Sequence, residues 1–326
     1  MIQTIFFNPL DAQFGVFPRQ SLPAPIAAKL AQSGNGALFA LIDAARFGDA
    51  EALVDAGGQC LFELDEENSL GDVAPYLLAL DDAPDLLRGL FTRSAQANAL
   101  WGKEVGVLLR SQSGIAQLRR HLRRFTQISG EDGKPRFLRF YDPVVMRHIL
   151  TALSADEARI ARWFWHGDNR IVESWIVPQE RMDGVLFAQM PDRLPRPIPP
   201  FRIDASYQAI FDAIMTERLA RKVSGAVRLS VGNPCGLAAE AWERLMLDAT
   251  ALSLACGCVT PRAIGYIASV AVLRNTLPSA REIADWVPAA GHPAQEGQQA
   301  KAFYQAQQDH FERWPQARPA LLTPEI

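Results

Sequence analysis

The sequence predicts an α/β N-terminal lobe, a mixed sheet with packed helices, followed by an all-α helical-bundle lobe. Three observations carry that expectation. Pro191, Pro195, Pro197, Pro199 and Pro200 fall within one ten-residue stretch, a density that excludes both helix and central strand and marks an interdomain linker. Before that stretch short apolar runs interleave with amphipathic helical patterns, and after it nearly every pattern has the helical period. The 326 residues also exceed what one core commonly fills, roughly 250 to 300 residues. The domains are therefore read as 1–190, a linker at 191–201, and 202–326.

In the first lobe the apolar runs read as strands at Leu38–Ala44, Cys60–Leu64, Val73–Leu80, Val105–Leu109, Phe137–Phe140, Ile171–Val177 and Val185–Met190. Helical spacing of apolar residues places helices at Arg46–Ala56, Ala83–Ala97, Ile115–Ile128, Pro143–Leu153 and Ala155–Trp165. Asp142 before Pro143 is a cap followed by a first-turn proline, and Ser154 with Glu157 has capping-box spacing. In the second lobe Trp242, Leu245, Ala249, Leu252 and Cys256 form one helical stripe, and Ala300, Phe303, Gln307, His310 and Trp314 form another. Thr260 with Pro261 starts a further helix, and Ser279 with Glu282 repeats the capping-box spacing. A bundle of helices follows.

Composition narrows the function class. A net charge of -3 leaves no global field to draw in nucleic acid or an anionic membrane, so a basic site must be local. No run approaches the roughly 18 apolar residues of a membrane span, and the N-terminus has no basic residue before Arg19, so no signal peptide is read and the expected location is cytoplasmic. Cys60, Cys235, Cys256 and Cys258 are unevenly placed and read as reduced thiols. Cys256-Gly257-Cys258 lacks the spacing and second pair of a zinc site. No metal or other cofactor is expected.

Catalytic signatures are not found: there is no phosphate loop, zinc helix or nucleophile elbow. Ser33-Gly34-Asn35-Gly36 precedes a strand and reads as a turn, since phosphate cradles follow a strand and open a helix. The five histidines are scattered at spacings that specify no triad. Tyr141, Asp142 and His148 could be built into an acid–base site, but Asp142 already has a full account as a helix cap. The expectation is a binding protein, not an enzyme.

The densest charge lies in Arg119-Arg120-His121-Leu122-Arg123-Arg124, on a helix whose apolar side is Ile115, Leu118, Leu122 and Phe125. Arg119 and Arg123 stand one turn apart, as do Arg120 and Arg124, so four guanidinium groups flank a buried stripe. Three readings stay open for this flank: a solvated face, a nucleic-acid patch, or a docking site for carboxylates of a partner.

The order of the segments resembles the type VI secretion adaptor chaperones, once catalogued only as a domain of unknown function. The resemblance rests on Leu38-Phe39-Ala40-Leu41-Ile42-Asp43-Ala44-Ala45, Ala74-Pro75-Tyr76-Leu77, Gly106-Val107-Leu108-Leu109-Arg110-Ser111, the arginine segment from Leu118 to Arg124, and Phe137-Leu138-Arg139-Phe140-Tyr141-Asp142-Pro143. It extends to about Leu153. It implies a protein that binds a toxic effector in the producing cell and helps load it on the spike protein of the secretion machine. The protein-binding residues then expected are Arg119, Arg120, Arg123, Arg124, Arg139, Tyr141 and Asp142, with Asp43 and Arg139 alternatively forming an internal ion pair. The rival classes are an immunity protein that neutralises the toxin and an enzyme with an unrecognised site in the α/β lobe.

Overall fold

A computed structural model describes residues 2–33, 35–62, 70–129, 134–189, 203–287 and 293–313; the linker read at 191–201 lies outside them. Its strands are β1 (Ile2–Phe6), β2 (Ala37–Asp43), β3 (Gln59–Cys60), β4 (Pro75–Ala79), β5 (Gly106–Ser111), β6 (Gln127–Ser129), β7 (Pro135–Phe137), β8 (Trp165–His166), β9 (Asn169–Arg170), β10 (Ser174–Gln179) and β11 (Gly184–Gln189). Its helices are α1 (Ala24–Gln32), α2 (Ala44–Phe47), α3 (Ala50–Asp55), α4 (Pro84–Leu90), α5 (Ile115–Arg123), α6 (Pro143–Ala152), α7 (Glu157–Ala161), α8 (Ala205–Val231), α9 (Ala239–Ala255), α10 (Pro261–Arg274), α11 (Ala280–Trp286) and α12 (Pro293–Arg313). An α/β lobe is thus followed by a helical one, in the predicted order. The chain divides after Phe211 into two compact units, a point inside α8 and later than the Pro-rich stretch.

The first unit is built on a seven-stranded sheet in the order β1-β11-β10-β5-β2-β4-β3. Its described pairings are all antiparallel. Successive residues of a strand face opposite sides, and here both sides are covered. Leu38, Ala40 and Ile42 of β2 join Tyr76, Leu78, Leu108, Ile176 and Phe187 in one core with Phe7, Ile26, Phe91 and Trp101. The alternate residues Phe39, Leu41, Leu77, Val107, Leu109, Trp175 and Val177 are equally buried, on the side where α6 packs on β5 and β10 and α5 on β4. This double burial is why the strands read as unbroken apolar runs. At Gly106 an added Cβ would stand 2.1 Å from the Leu41 carbonyl oxygen, so the close approach of β5 to β2 requires glycine there.

Several boundaries differ from the sequence reading. The helix expected over Arg46–Ala56 is two, because Gly48 takes φ 87° after α2 and Asp49 caps α3 by accepting the Ala52 N–H at 2.9 Å. The helix expected over Ala83–Ala97 stops at Leu90. That expected over Ile115–Ile128 stops at Arg123, and Gln127–Ser129 pairs instead with Pro135–Phe137. The strand expected at Phe137–Phe140 accordingly ends at Phe137. The Ser154–Glu157 capping box is replaced by Asp156, which accepts the Arg159 N–H at 3.0 Å, while the Ser154 hydroxyl donates back to the Thr151 carbonyl. Strand β1, not anticipated, closes the sheet by pairing with β11.

The second unit packs around α10, whose Ala263, Ile264, Ile267, Ala268, Val270 and Ala271 are buried on several sides against Trp242, Met246 and Phe303. Small residues on α10 let α9 and α12 approach closely. Thr260 caps α10, and the buried Glu296 accepts the Val259 and Thr260 N–H groups at 3.0 Å each. The Ser279–Glu282 capping box forms as read. Trp242 donates to Ser224 Oγ at 2.8 Å on the same stripe the sequence marks on α9, whereas His310 and Trp314 of the α12 stripe lie outside the described side chains.

Candidate functional site

The residues singled out by sequence fall into two groups, both in the first unit. The first group stands on α5. Its moment is strong because Leu118, His121 and Leu122 are buried and the arginines are not. Arg119, Arg120 and Arg123, with Gln59 and Ala116, line a groove of about 300 Å³ between α5 and the end of the sheet at β3. Arg119 Nε donates to the Cys60 carbonyl at 2.7 Å, so this side chain covers a main-chain acceptor on the outermost strand. Arg120 is exposed and Arg123 half-buried. Arg124 turns aside: its guanidinium lies 5.8 Å from the Phe125 ring centroid, and burial lowers its pKa.

Behind these arginines sits an aromatic stack that sets the position of α5. The Phe125 and Trp163 rings are parallel with centroids 4.3 Å apart, and Phe140 packs edge-on at 5.8 Å from Phe125. His121 lies fully buried beside Phe125, 6.1 Å from the ring of His166. Burial, with Arg124 second, lowers His121 to about 3, so the ring is neutral at physiological pH. His166 follows from the β8–β9 hairpin, where Gly167 takes φ 60°. Sequence spacing gave no sign that these histidines meet.

The second group is a charge network at the junction of β2, α2 and α6. Asp142, buried completely, accepts the Val144 N–H at 2.9 Å and pairs with Arg46 Nη2 at 3.0 Å. Arg46 also meets Glu104 at 3.0 Å. Asp43, equally buried, caps α2 through the Ala45 N–H and pairs with Arg139, the internal ion pair that the sequence analysis gave as an alternative. Arg139 also lies 5.8 Å from the Tyr141 ring. Tyr141 is 4 % exposed, and its hydroxyl is pushed up to about 12 by burial, so it is protonated at neutral pH. As partner-contacting residues, Tyr141 and Asp142 are corrected by this burial: they build the corner from within. Arg46 and Glu104 were missed, although Asp43 and Arg46 have the i,i+3 spacing of a helix-start ion pair.

Glu180 extends this network. It is 9 % exposed and accepts the Glu104 N–H at 2.9 Å, yet burial, as the largest cause, pushes its carboxyl from 4.5 up to about 7. A folded pKa above the unfolded one gives stability that is complete below pH 4.5 and lost as pH rises through about 7. Glu180→Gln is therefore expected to raise the melting temperature relative to the parent more at pH 8 than at pH 5, read by thermal melts across the range. His121 acts with the opposite sign, losing stability as pH falls from 6.5 towards 3, and cancels in the difference between the two proteins. A difference independent of pH would exclude the account of Glu180.

The thiols show no assembled site. Cys258 is buried and pushed up to about 11, chiefly by burial. Among the described residues no three His, Cys, Asp or Glu side chains are placed to hold a metal ion. No helix of the described residues is long and apolar enough to cross a membrane.

Residues 38–159, from the second residue of β2 into α7, match a family described as "Domain of unknown function (DUF4123)". No curated protein and no solved structure matches the chain. The matched segment contains both charged groups apart from Glu180, whereas β1, β10, β11 and the helical unit lie outside it.

Proposed function

We propose that the protein is a cytoplasmic adaptor chaperone that binds a type VI secretion effector and helps load it on the spike protein, acting by binding and not by catalysis. The observation that carries this reading is the match over residues 38–159, the same stretch whose ordered segments resemble the effector adaptors of that system. The physical form is consistent with holding a partner. The sheet is covered on both faces and its acidic groups are engaged in caps and internal ion pairs. On α5 Arg120 is exposed beside the half-buried Arg119 and Arg123, which makes this face the one best placed to meet another protein.

Affinity purification of the tagged protein from its producing cell, with mass spectrometry of the co-eluting chains, tests the reading. A spike protein and a large toxin should co-elute, and recovery of neither overturns it. Truncating that toxin from either end then separates delivery from neutralisation: an adaptor loses its partner when the N-terminal part is removed, an immunity protein when the catalytic end is removed.

A further inference from the structure

Many arginines elsewhere in the molecule are matched by acids. Arg46, Arg93, Arg139, Arg159, Arg221 and Arg274 each meet a carboxylate within salt-bridge distance. Arg119, Arg120 and Arg124 meet none among the described residues. In a chain of net charge -3, the unmatched Arg119 and Arg120, with Arg123 beside them in the groove, make a local positive potential, and the groove gives that potential a shape.

Its geometry favours one kind of ligand. Arg119 is held by its Nε bond to the Cys60 carbonyl, so the fork loses little rotamer freedom when a ligand binds. Arg120, the next residue, and Arg123, one turn on, approach the same groove, with Gln59 supplying a neutral donor and acceptor and Ala116 leaving room. Because Arg119 takes the Cys60 carbonyl, addition of a partner strand along β3 is opposed, and recognition falls to side-chain carboxylates. No aromatic ring lines the groove, so bases have nothing to stack on and a single-stranded nucleic acid fits poorly.

From this we infer that the α5–β3 groove is a carboxylate-docking site that takes an acidic segment of the partner protein, an inference that rests on the binding role proposed above and specifies its chemistry. Arg120 is the cleanest residue to change, since it is exposed whereas Arg119 also supports the sheet edge.

The test uses the full chain and a fluorescein-labelled peptide of alternating glutamate and glycine, followed by anisotropy at low and high salt. The glutamate peptide should bind, weaken with salt, and weaken by about tenfold or more in Arg120→Glu. Arg120→Gln should fall between, and Arg281→Glu on α11 should match the parent. Overturning results are equal binding of the glutamine counterpart, equal binding by Arg120→Glu with unchanged circular dichroism, or tighter binding of single-stranded RNA lost in the same variant. Co-purification separates the two levels. If the parent and Arg120→Glu retrieve spike and toxin equally, the groove assignment falls and the adaptor role stands. If the parent retrieves neither while Arg120→Glu still loses the peptide, the adaptor role falls and the groove stands.

Discussion

Trp163→Ala should unfold in urea with a loss of about 4 kcal/mol, the scale for deleting a large aromatic from a packed core. Trp163 has no exposed surface. Its ring stacks on Phe125 at 4.3 Å and meets Phe140 at 5.7 Å, so truncation removes dispersion contacts from both and leaves a cavity between α5 and the start of α6. The Trp163 carbonyl accepts Trp175 Nε1 at 3.1 Å, a main-chain contact that the substitution retains, whereas the indole's hydrogen bond with Tyr207 is lost with the ring, so packing supplies most of the expected loss. Trp163→Phe keeps a ring in the stack and should lose less than half as much. Far-UV circular dichroism provides a readout independent of the deleted chromophore. A loss below about 1 kcal/mol would show that the stack does not hold α5. Because Phe125 lies two residues beyond Arg123, the same variant should loosen the groove, and peptide binding there should weaken although no arginine is touched.

The division of labour between sequence and structure follows from the physics of each signal. Strands β2, β4, β5, β10 and β11 were legible because burial on both faces makes them continuous apolar runs. Strand β1 was not, since an edge strand packed on one side has too few buried residues to stand out: Thr4 and Phe6 are exposed. Helix ends were misplaced where two start signals lie within one turn. Ser154 and Asp156 both suit a cap, and only the geometry of the chain leaving α6 selects Asp156. Gly48-Asp49 carried a stop and a start in adjacent residues, which a helical period averages over. The Asp142–Pro143 start, by contrast, fixes both a side-chain acceptor and a backbone angle, and α6 begins there.

At the site, local pattern revealed the arginine helix, because charge density along one helix is a sequence property. What the arginines face is not. Gln59 lies some sixty residues earlier in the chain and joins the groove only because β3 ends the sheet beside α5. The same limit hid Arg46 and Glu104, whose partners in the network come from β2, β5's approach and the start of α6. Tyr141 and Asp142 are expected to meet a partner from a segment that resembles the adaptor chaperones, but the Asp142 oxygens are consumed inside, by Val144, Val145 and Arg46.

Asp142→Ala should cost about 3 kcal/mol, measured as the shift in urea unfolding by far-UV circular dichroism. Two effects combine. Loss of a capping carboxylate alone costs about 0.5 to 2 kcal/mol, here at α6, whose Val144 and Val145 N–H groups lose their acceptor. Arg46 also loses the partner at 3.0 Å that sits wholly out of water, and removing one member of a buried pair costs several kcal/mol. The Arg46 side chain remains 29 % exposed and keeps Glu104, which returns part of that loss and holds the total near the lower end. Asp142→Asn separates the effects: its carbonyl oxygen still caps α6 while the ion pair is lost, so it should cost about half as much as alanine. In a double-mutant cycle with Arg46→Ala, the coupling should be about 1 to 2 kcal/mol. Coupling near zero, with alanine and asparagine equally costly, would assign the whole effect to space-filling and remove Arg46 from the network. The expected coupling instead ties α2 to α6 through one guanidinium, and with them β2 and the helix that covers its buried face.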